Sequence, residues 1–498
     1  MRPAFAAFLL VTAVIALPAS AQNNSNNSHN PTWWNKYQYL LNHPAESAAV
    51  PVPSLSAGAN VDVSNECGPQ SETFIAINPG NPTILAAGSN EIVRDPMRGY
   101  FSTNGGATWG GVDLPLPAAI GSNGIRFGSD PSLVFDTRGN AFYGYIVVFF
   151  GNGKGINGTE MAVAKSTDGG ATYPSAAFFS FSGGSDHFND KPMITADANS
   201  GSPFRDNIYI AWDAASGGSA TGGGVRVATS SDHGATFSSV RVDNPGGPGR
   251  SIGASPFVGP DGTVYVAWND FVANVIAFAR SSDGGATWQR PNIVATKTAV
   301  FDVGIPAESF RRALVYPACD ADRSAGPHRG RLYCSWMDLT SVGTTDIFLS
   351  FSDDKGNTWS APAAVADQLG FPVDRFNHWM AVDPVTGDVN VSFYDTRNDS
   401  TGFRFMTDTF LTQSTNGGLS FLSPNVRVST VSSNEHDCNG VFPCNAIDYG
   451  NQQGDYEGLA SFGGVSHPIW TDSRQQQAPL PGCRTGLAME EVFTAVVK

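Results

Sequence analysis

Ser281-Ser282-Asp283-Gly284-Gly285-Ala286-Thr287-Trp288 decides the fold of this 498-residue chain, because it recurs. Versions begin at Ser102, Ser166, Ser230, Ser352 and, in worn form, Ser414, and end on Trp109, Tyr173, Phe237, Trp359 and Phe421. The shared pattern is Ser-x-Asp/Asn-x-Gly-x-Thr/Ser-aromatic. Asp or Asn caps its own backbone two residues on, and Gly supplies positive φ without steric cost. The hydroxyls add local bonds to the backbone, and the closing ring is large enough to anchor the turn. The stretch is therefore a hairpin staple, not a catalytic motif. Its return at roughly sixty-residue intervals marks a repeat architecture.

Working outward, each unit carries four short β segments. In the second unit these are Asp130–Asp136, Asn140–Phe150, Glu160–Lys165 leading into the box, and Ala176–Phe181. Alternating apolar residues with a turn every 8–12 residues fit an all-β chain. First strands recur at Ser71, Pro131, Pro192, Ser255, Ala313, Trp379 and Tyr456, which makes seven units for six boxes. The seventh unit lacks a box and a fourth strand. Asn60–Ser64 is well placed to supply that strand and close a ring. The expected fold is a seven-bladed β-propeller of four-stranded antiparallel blades, with six blades as the alternative.

The box resembles the Asp box of the sialidase-like β-propellers, and six copies carry the resemblance over residues 60–498. That family hydrolyses terminal sialic acids. It uses three arginines on the sugar carboxylate, a Tyr nucleophile assisted by Glu, and an Asp acid/base; the Tyr sets it apart from most glycosidases. The Arg-Ile-Pro element that gives those enzymes their first arginine is missing here. Fold alone does not fix activity.

High Gly (55) and Pro (32), with 15% charged residues, suit many short strands joined by turns. The net charge of −15 argues against a nucleic-acid partner. It also means that an anionic sugar needs a local basic pocket. Residues 1–21 read as a secretory signal: Arg2, an apolar run from Ala4 to Leu17, and Ala19-Ser20-Ala21 before Gln22. Residues 22–59 read as a flexible leader with an aromatic patch at Trp33-Trp34. Secretion, to the exterior or a periplasm, makes the six cysteines candidates for disulfides. Position suggests Cys319–Cys334, Cys438–Cys444 and Cys67–Cys483. No membrane attachment is expected after signal cleavage, and a monomer is expected. No cofactor or metal is expected either, and Asp320-Ala321-Asp322 reads as a hairpin turn.

Boxes join third and fourth strands, so they share one rim. The starts of first strands and the ends of second strands then share the other. The first-strand starts carry Glu72, Asp130, Asp190-Lys191, Arg311-Arg312, His378 and Asp455-Tyr456-Glu457. The second-strand ends include Tyr394-Asp395-Thr396-Arg397 and Trp470-Thr471-Asp472-Ser473-Arg474. By the sialidase resemblance, Tyr456 is the candidate nucleophile with Glu72 as its partner, and Asp130 or Asp190 is the acid/base. Arg312, Arg397 and Arg474 are the candidate carboxylate clamp. Asp455 joins the substrate-contacting set. Three functions compete: a hydrolase of terminal acidic sugars, a polysaccharide lyase, and a non-catalytic glycan- or protein-binding propeller. The lyase would use His378 or Tyr456 as base and Lys191, Arg311 and Arg312 against a uronate.

Overall fold

The computed structural model describes residues 55–64, 69–92, 94–122, 124–151, 156–183, 188–215, 224–243, 250–289, 291–308, 312–436, 453–474 and 490–498. The signal region, the leader up to residue 54, Arg311, and Cys67, Cys438, Cys444 and Cys483 lie outside these residues.

The boxes fold as their chemistry requires. Ser281 Oγ donates to Asp283 Oδ1 at 2.6 Å and accepts the Gly285 N–H at 2.9 Å. Asp283 accepts the Thr287 N–H and hydroxyl, and Trp288 Nε1 donates to the Gly285 carbonyl at 3.1 Å. Hydrogen bonds from Ser281 and Thr287 hold the Asp283 carboxyl down at about 2. Gly285 sits at φ 88°, where a Cβ would come 2.4 Å from Thr229 Oγ1, so this position needs glycine on two counts. His233 and Lys355 accept positive φ at the preceding position of their own boxes.

Each box closes a four-stranded antiparallel blade. Blades 1 to 6 take their strands in chain order, with inner strands Gln70–Ile77, Ile125–Phe135, Phe188–Ala196, Ser251–Val258, Pro317–Ala321 and Arg375–Val382. Blade 7 has inner strand Gly458–Phe462, then Val465–Asp472 and Glu491–Thr494. Its outermost strand is Val61–Asp62, paired with Thr494 and Phe493. The N-terminal segment thus closes the ring, as the seven-unit reading requires, and Ser56 N–H continues the contact to the Lys498 carbonyl at 2.9 Å. The fold is an all-β, seven-bladed propeller, and no helix occurs among the described residues. Among the described residues no helix is long and apolar enough to cross a membrane.

Packing between blades is aromatic. Trp212, Trp268, Trp336 and Trp470 lie near the ends of four second strands and are fully buried. Truncating such a ring to Ala typically costs about 3–5 kcal/mol. Cys319 and Cys334 face each other across blade 5 and form a disulfide, as position suggested. Asp320 and Ala321, expected in a hairpin turn, instead end the inner strand of blade 5, and Asp320 pairs with Arg323 at 2.6 Å.

Inside the ring, Trp379 of blade 6 packs edge-on against Phe74 of blade 1 at 5.0 Å and lies 6.2 Å from the Tyr456 ring. Below this plug, towards the box rim, lies a cavity of about 650 Å³ lined by inner-strand residues such as Leu133, Phe257 and Leu459. Above it lies the polar cluster described next.

Candidate active site

Inner strands carry the same irregularity in five blades. The register slips between Ser71 and Phe74, Ser129 and Ser132, Asp190 and Met193, Ile252 and Ser255, and Phe376 and Trp379. At each slip one residue takes positive φ: Glu72 (52°), Asp130 (60°), Lys191 (52°), Gly253 (72°) and Asn377 (44°). Four of these are not glycine. Left-handed backbone at such residues costs of order 1–3 kcal/mol and persists where surrounding structure imposes it. The bulges re-aim side chains that regular pleating would turn elsewhere. Asp130 lies five residues inside a strand that begins at Ile125, so the sequence-predicted strand start is a bulge within a longer strand.

The consequence is a cluster drawn from distant parts of the chain. Lys191 Nζ lies 3.0 Å from Glu72 Oε1 and also pairs with Asp455. It sits over the Tyr456 ring at 5.1 Å and the Tyr316 ring at 5.8 Å. The Lys191 N–H donates to Asp130 Oδ2 at 3.1 Å. Asn90, from the second strand of blade 1, donates to Glu72 Oε2 at 2.9 Å and accepts the Asp130 N–H at 2.7 Å. Tyr316 donates its hydroxyl to Asp455 Oδ2 at 3.2 Å.

Proton affinities split within the cluster. Burial favours a neutral Lys191, but the surrounding Asp455, Glu72 and Asp130 carboxylates outweigh it and hold the ammonium protonated far above its ordinary range. Burial likewise favours a neutral Asp130, but Lys191 and hydrogen bonds from Asp190 and Ser129 hold it well below the usual carboxylate range. Asp190 goes the other way. Burial, and then the Asp130 carboxylate, push it well above that range. Asp190 thus holds its proton more tightly than Asp130; its Oδ1 accepts the Lys191 N–H at 3.1 Å, and the residue is partly exposed. Two carboxyl groups with affinities pushed apart is the usual mark of an acid and its partner. On the second strand beside Asp190, Asp213 is raised to about 8 by burial and accepts the Gly253 N–H.

The structure thus brings together Glu72, Asp130, Asp190, Lys191, Asp455 and Tyr456. It gives the other candidates different surroundings. Tyr456 donates its hydroxyl to the Pro131 carbonyl at 3.0 Å, and burial with the nearby Glu72 and Asp130 charges pushes its ionisation far above the ordinary range. Glu72 is engaged by Lys191 and Asn90, so the expected Glu–Tyr couple is replaced by a lysine bridge. His378 is buried against Ser335 of blade 5, and burial lowers it to about 4. It makes no recorded contact with the carboxyl cluster among the described residues. Arg397 pairs with Asp395 and Asp367 and stacks on Phe410 at 4.1 Å. Arg474 pairs with Asp472 and stacks on Phe493 at 4.2 Å. These two arginines make equivalent contacts in blades 6 and 7. Arg312 is half-exposed, ahead of blade 5, and pairs with Asp302 at 2.9 Å. Asn90 and Tyr316 were not singled out from sequence, whereas Asp213 was read as part of the second-strand end Trp212-Asp213. Asn90 sits where blade 3 places Asp213 and blade 4 Asn269, a signal that strand alignment of the units would have caught. Among the described residues no group of three His, Cys, Asp or Glu side chains is arranged to hold a metal.

Comparisons with known proteins follow this geometry. A sialidase from Micromonospora viridifaciens is 32% identical over 87 residues, which is 18% of this chain and 12% of that protein. The match therefore spans only a small part of its relative. Solved structures to which the chain is similar include a leech intramolecular trans-sialidase (13% identity, TM-score 0.44, 70% of this chain and 68% of that one). The NanB sialidase of Streptococcus pneumoniae matches at 11% identity and TM-score 0.46, over 78% and 71% of the two chains. An ulvan lyase bound to a GlcA(1-4)Rha3S unit matches at 12% identity and TM-score 0.43, over 88% and 95%. No family model matches the chain.

Proposed function

We propose that the protein is a secreted, sialidase-like glycoside hydrolase acting on terminal sugars of glycans, with Asp190 as the general acid. The observation that carries this is the split carboxyl pair at the rim. Glycoside hydrolysis needs a group that is protonated at working pH to donate to the leaving oxygen, and anionic charge against an oxocarbenium-like transition state. Asp190 fits the first requirement; Asp130, Glu72 and Asp455 fit the second. Asp130 and Asp190 are hydrogen-bonded to each other, so they form one acid unit and not two carboxyls flanking a bond. Lys191 fixes Glu72 and Asp455 in place.

Tyr456 contributes its ring beneath Lys191 and a hydroxyl held by Pro131, which does not favour it as an ionised nucleophile. For the lyase reading, the surroundings of His378 and the protonated state of Lys191 supply no base at the cluster. For the acidic-sugar expectation Arg312 is the most accessible of the described candidate arginines: all three pair with carboxylates, but Arg312 is half-exposed whereas Arg397 and Arg474 are nearly buried. Secretion is supported by the Cys319–Cys334 disulfide, which persists in oxidising compartments, and by the signal-like first residues.

The test is turnover of a panel of fluorogenic glycosides carrying sialic acid, uronic acids and neutral sugars. Wild-type protein is expected to release fluorophore from at least one, and Asp190→Asn to lower kcat by about 100-fold or more. Failure to cleave any of them, or an unchanged Asp190→Asn, overturns the reading.

A further inference from the structure

Among the large apolar residues exposed in the described structure, Val272, Val342, Phe371 and Phe403 lie in loops on the rim that carries the carboxyl cluster, over blades 4 to 6. The most structured feature among them is an aromatic stack. Phe403, 67% exposed, stacks on Phe405 with centroids 5.5 Å apart and planes 27° apart. Phe405 in turn lies 4.2 Å from the His436 ring at 31°. Residues 396–405 join the second and third strands of blade 6, which places the stack on the mouth side by topology.

The loop is built to hold this pose. Asp399 accepts the N–H groups of Thr401, Gly402, Arg404 and Met406 and the Thr401 hydroxyl. Thr401 Oγ1 accepts the Phe403 N–H at 3.1 Å. Arg404 anchors the loop to Asp374 at 2.8 Å with its side chain one-third exposed. His436 Nε2 meets the Pro306 carbonyl at 2.7 Å, tying the stack to the loop ahead of blade 5. An exposed phenyl ring that is also pre-positioned loses little conformational freedom on binding.

We infer that Phe403, backed by Phe405 and His436, is a subsite that stacks a pyranose ring of the substrate glycan away from the bond that is cut. This rests on the glycan reading above and extends it from a terminal sugar to an oligosaccharide. A pyranose presents one face of C–H groups, apolar and flat, which suits the exposed face of a phenyl ring. Its hydroxyls lie at the ring edge, where the Arg404 guanidinium can donate. Continuity with the mouth favours a glycan as occupant: a chain that enters the mouth over blade 6 crosses this loop. A second copy of this chain is the competing occupant.

The test uses full-length Asp190→Asn protein, so that binding is read without turnover. It is screened on an array of neutral, sialylated and uronate-containing oligosaccharides, and the best binder is titrated by calorimetry. Adding Phe403→Ala is expected to weaken affinity about tenfold, the scale of one lost aromatic contact, while Phe403→Trp retains it. Leu419→Ala, exposed on the opposite rim, is expected to change nothing. In otherwise wild-type protein, Phe403→Ala is expected to raise KM for the oligosaccharide more than it lowers kcat. Equal affinity with and without Phe403 overturns the subsite. So does the absence of any array binding by a protein whose wild-type form cleaves fluorogenic monosaccharides, an outcome that leaves the hydrolase reading standing. A dimer in sedimentation that Phe403→Ala dissolves also overturns it, in favour of a second copy.

Discussion

Lys191 of blade 3 reaches across blade 2 to Glu72 of blade 1, its Nζ 3.0 Å from Glu72 Oε1, with both side chains buried. The same ammonium pairs with Asp455, just ahead of blade 7. One cation thus holds carboxylates from two other blades at the centre of the ring. Removing one member of a buried ionic group leaves uncompensated charge, at a cost of about 3–5 kcal/mol. Lys191→Met is therefore expected to lower stability by that order in urea or thermal unfolding. The double variant Glu72→Gln/Lys191→Met is expected to recover part of the loss. Equal stability of wild type and Lys191→Met contradicts the bridge.

The Asp190 proton sets a pH dependence with a definite sign. Burial and the Asp130 charge raise its proton affinity, so the active acid form persists above the ordinary carboxylate range and is lost as pH rises through the raised value. Turnover is expected to fall on the alkaline side, and Asp130→Asn, which removes the neighbouring charge, is expected to move that limb to lower pH. A kcat–pH profile whose alkaline limb ignores Asp130→Asn contradicts the pairing.

Much of this was legible in the chain. Ser281 to Trp288 and its copies gave the blades, and the missing fourth strand after Glu491 pointed to Asn60–Ser64 as the closing element. Glu72, Asp130, Asp190, Lys191, Asp455 and Tyr456 could be named from their place in the repeat. Their partnerships could not. Positive φ at Glu72, Asp130 and Lys191 has no glycine to announce it, so the bulges that swing these side chains together were invisible. For Arg397 and Arg474 the pairings were not legible either: Asp-x-Arg recurs at the same strand end, and in the fold Arg397 pairs with Asp395 and Arg474 with Asp472 within their own blades.

Asp213 predicts a pH effect on folding itself. Burial raises it to about 8, against roughly 3.9 in an unfolded chain. The folded state then binds the extra proton, so this contribution is complete below about pH 4 and is lost as pH rises through about 8. Asp213→Asn, whose amide oxygen still accepts the Gly253 N–H, is expected to flatten the difference in unfolding midpoint between pH 5 and pH 8.5. Identical slopes for the two proteins contradict the assignment.

The Cys319–Cys334 bond closes a short segment, with a sequence separation of 15, inside blade 5. Bonds of this kind typically contribute about 2–4 kcal/mol. The double variant Cys319→Ser/Cys334→Ser is expected to melt at lower temperature than wild type under oxidising conditions. An equal melting temperature contradicts a stabilising role.

The most direct measurement is the mass of products formed when wild-type and Asp190→Asn proteins are incubated with defined oligosaccharides. The account predicts fragments that together exceed the parent by one water, formed by wild type and nearly absent with Asp190→Asn. Fragments summing to the parent mass, one of them unsaturated, would contradict it by showing elimination, and an intact substrate throughout would contradict it by showing that the cluster does no hydrolysis.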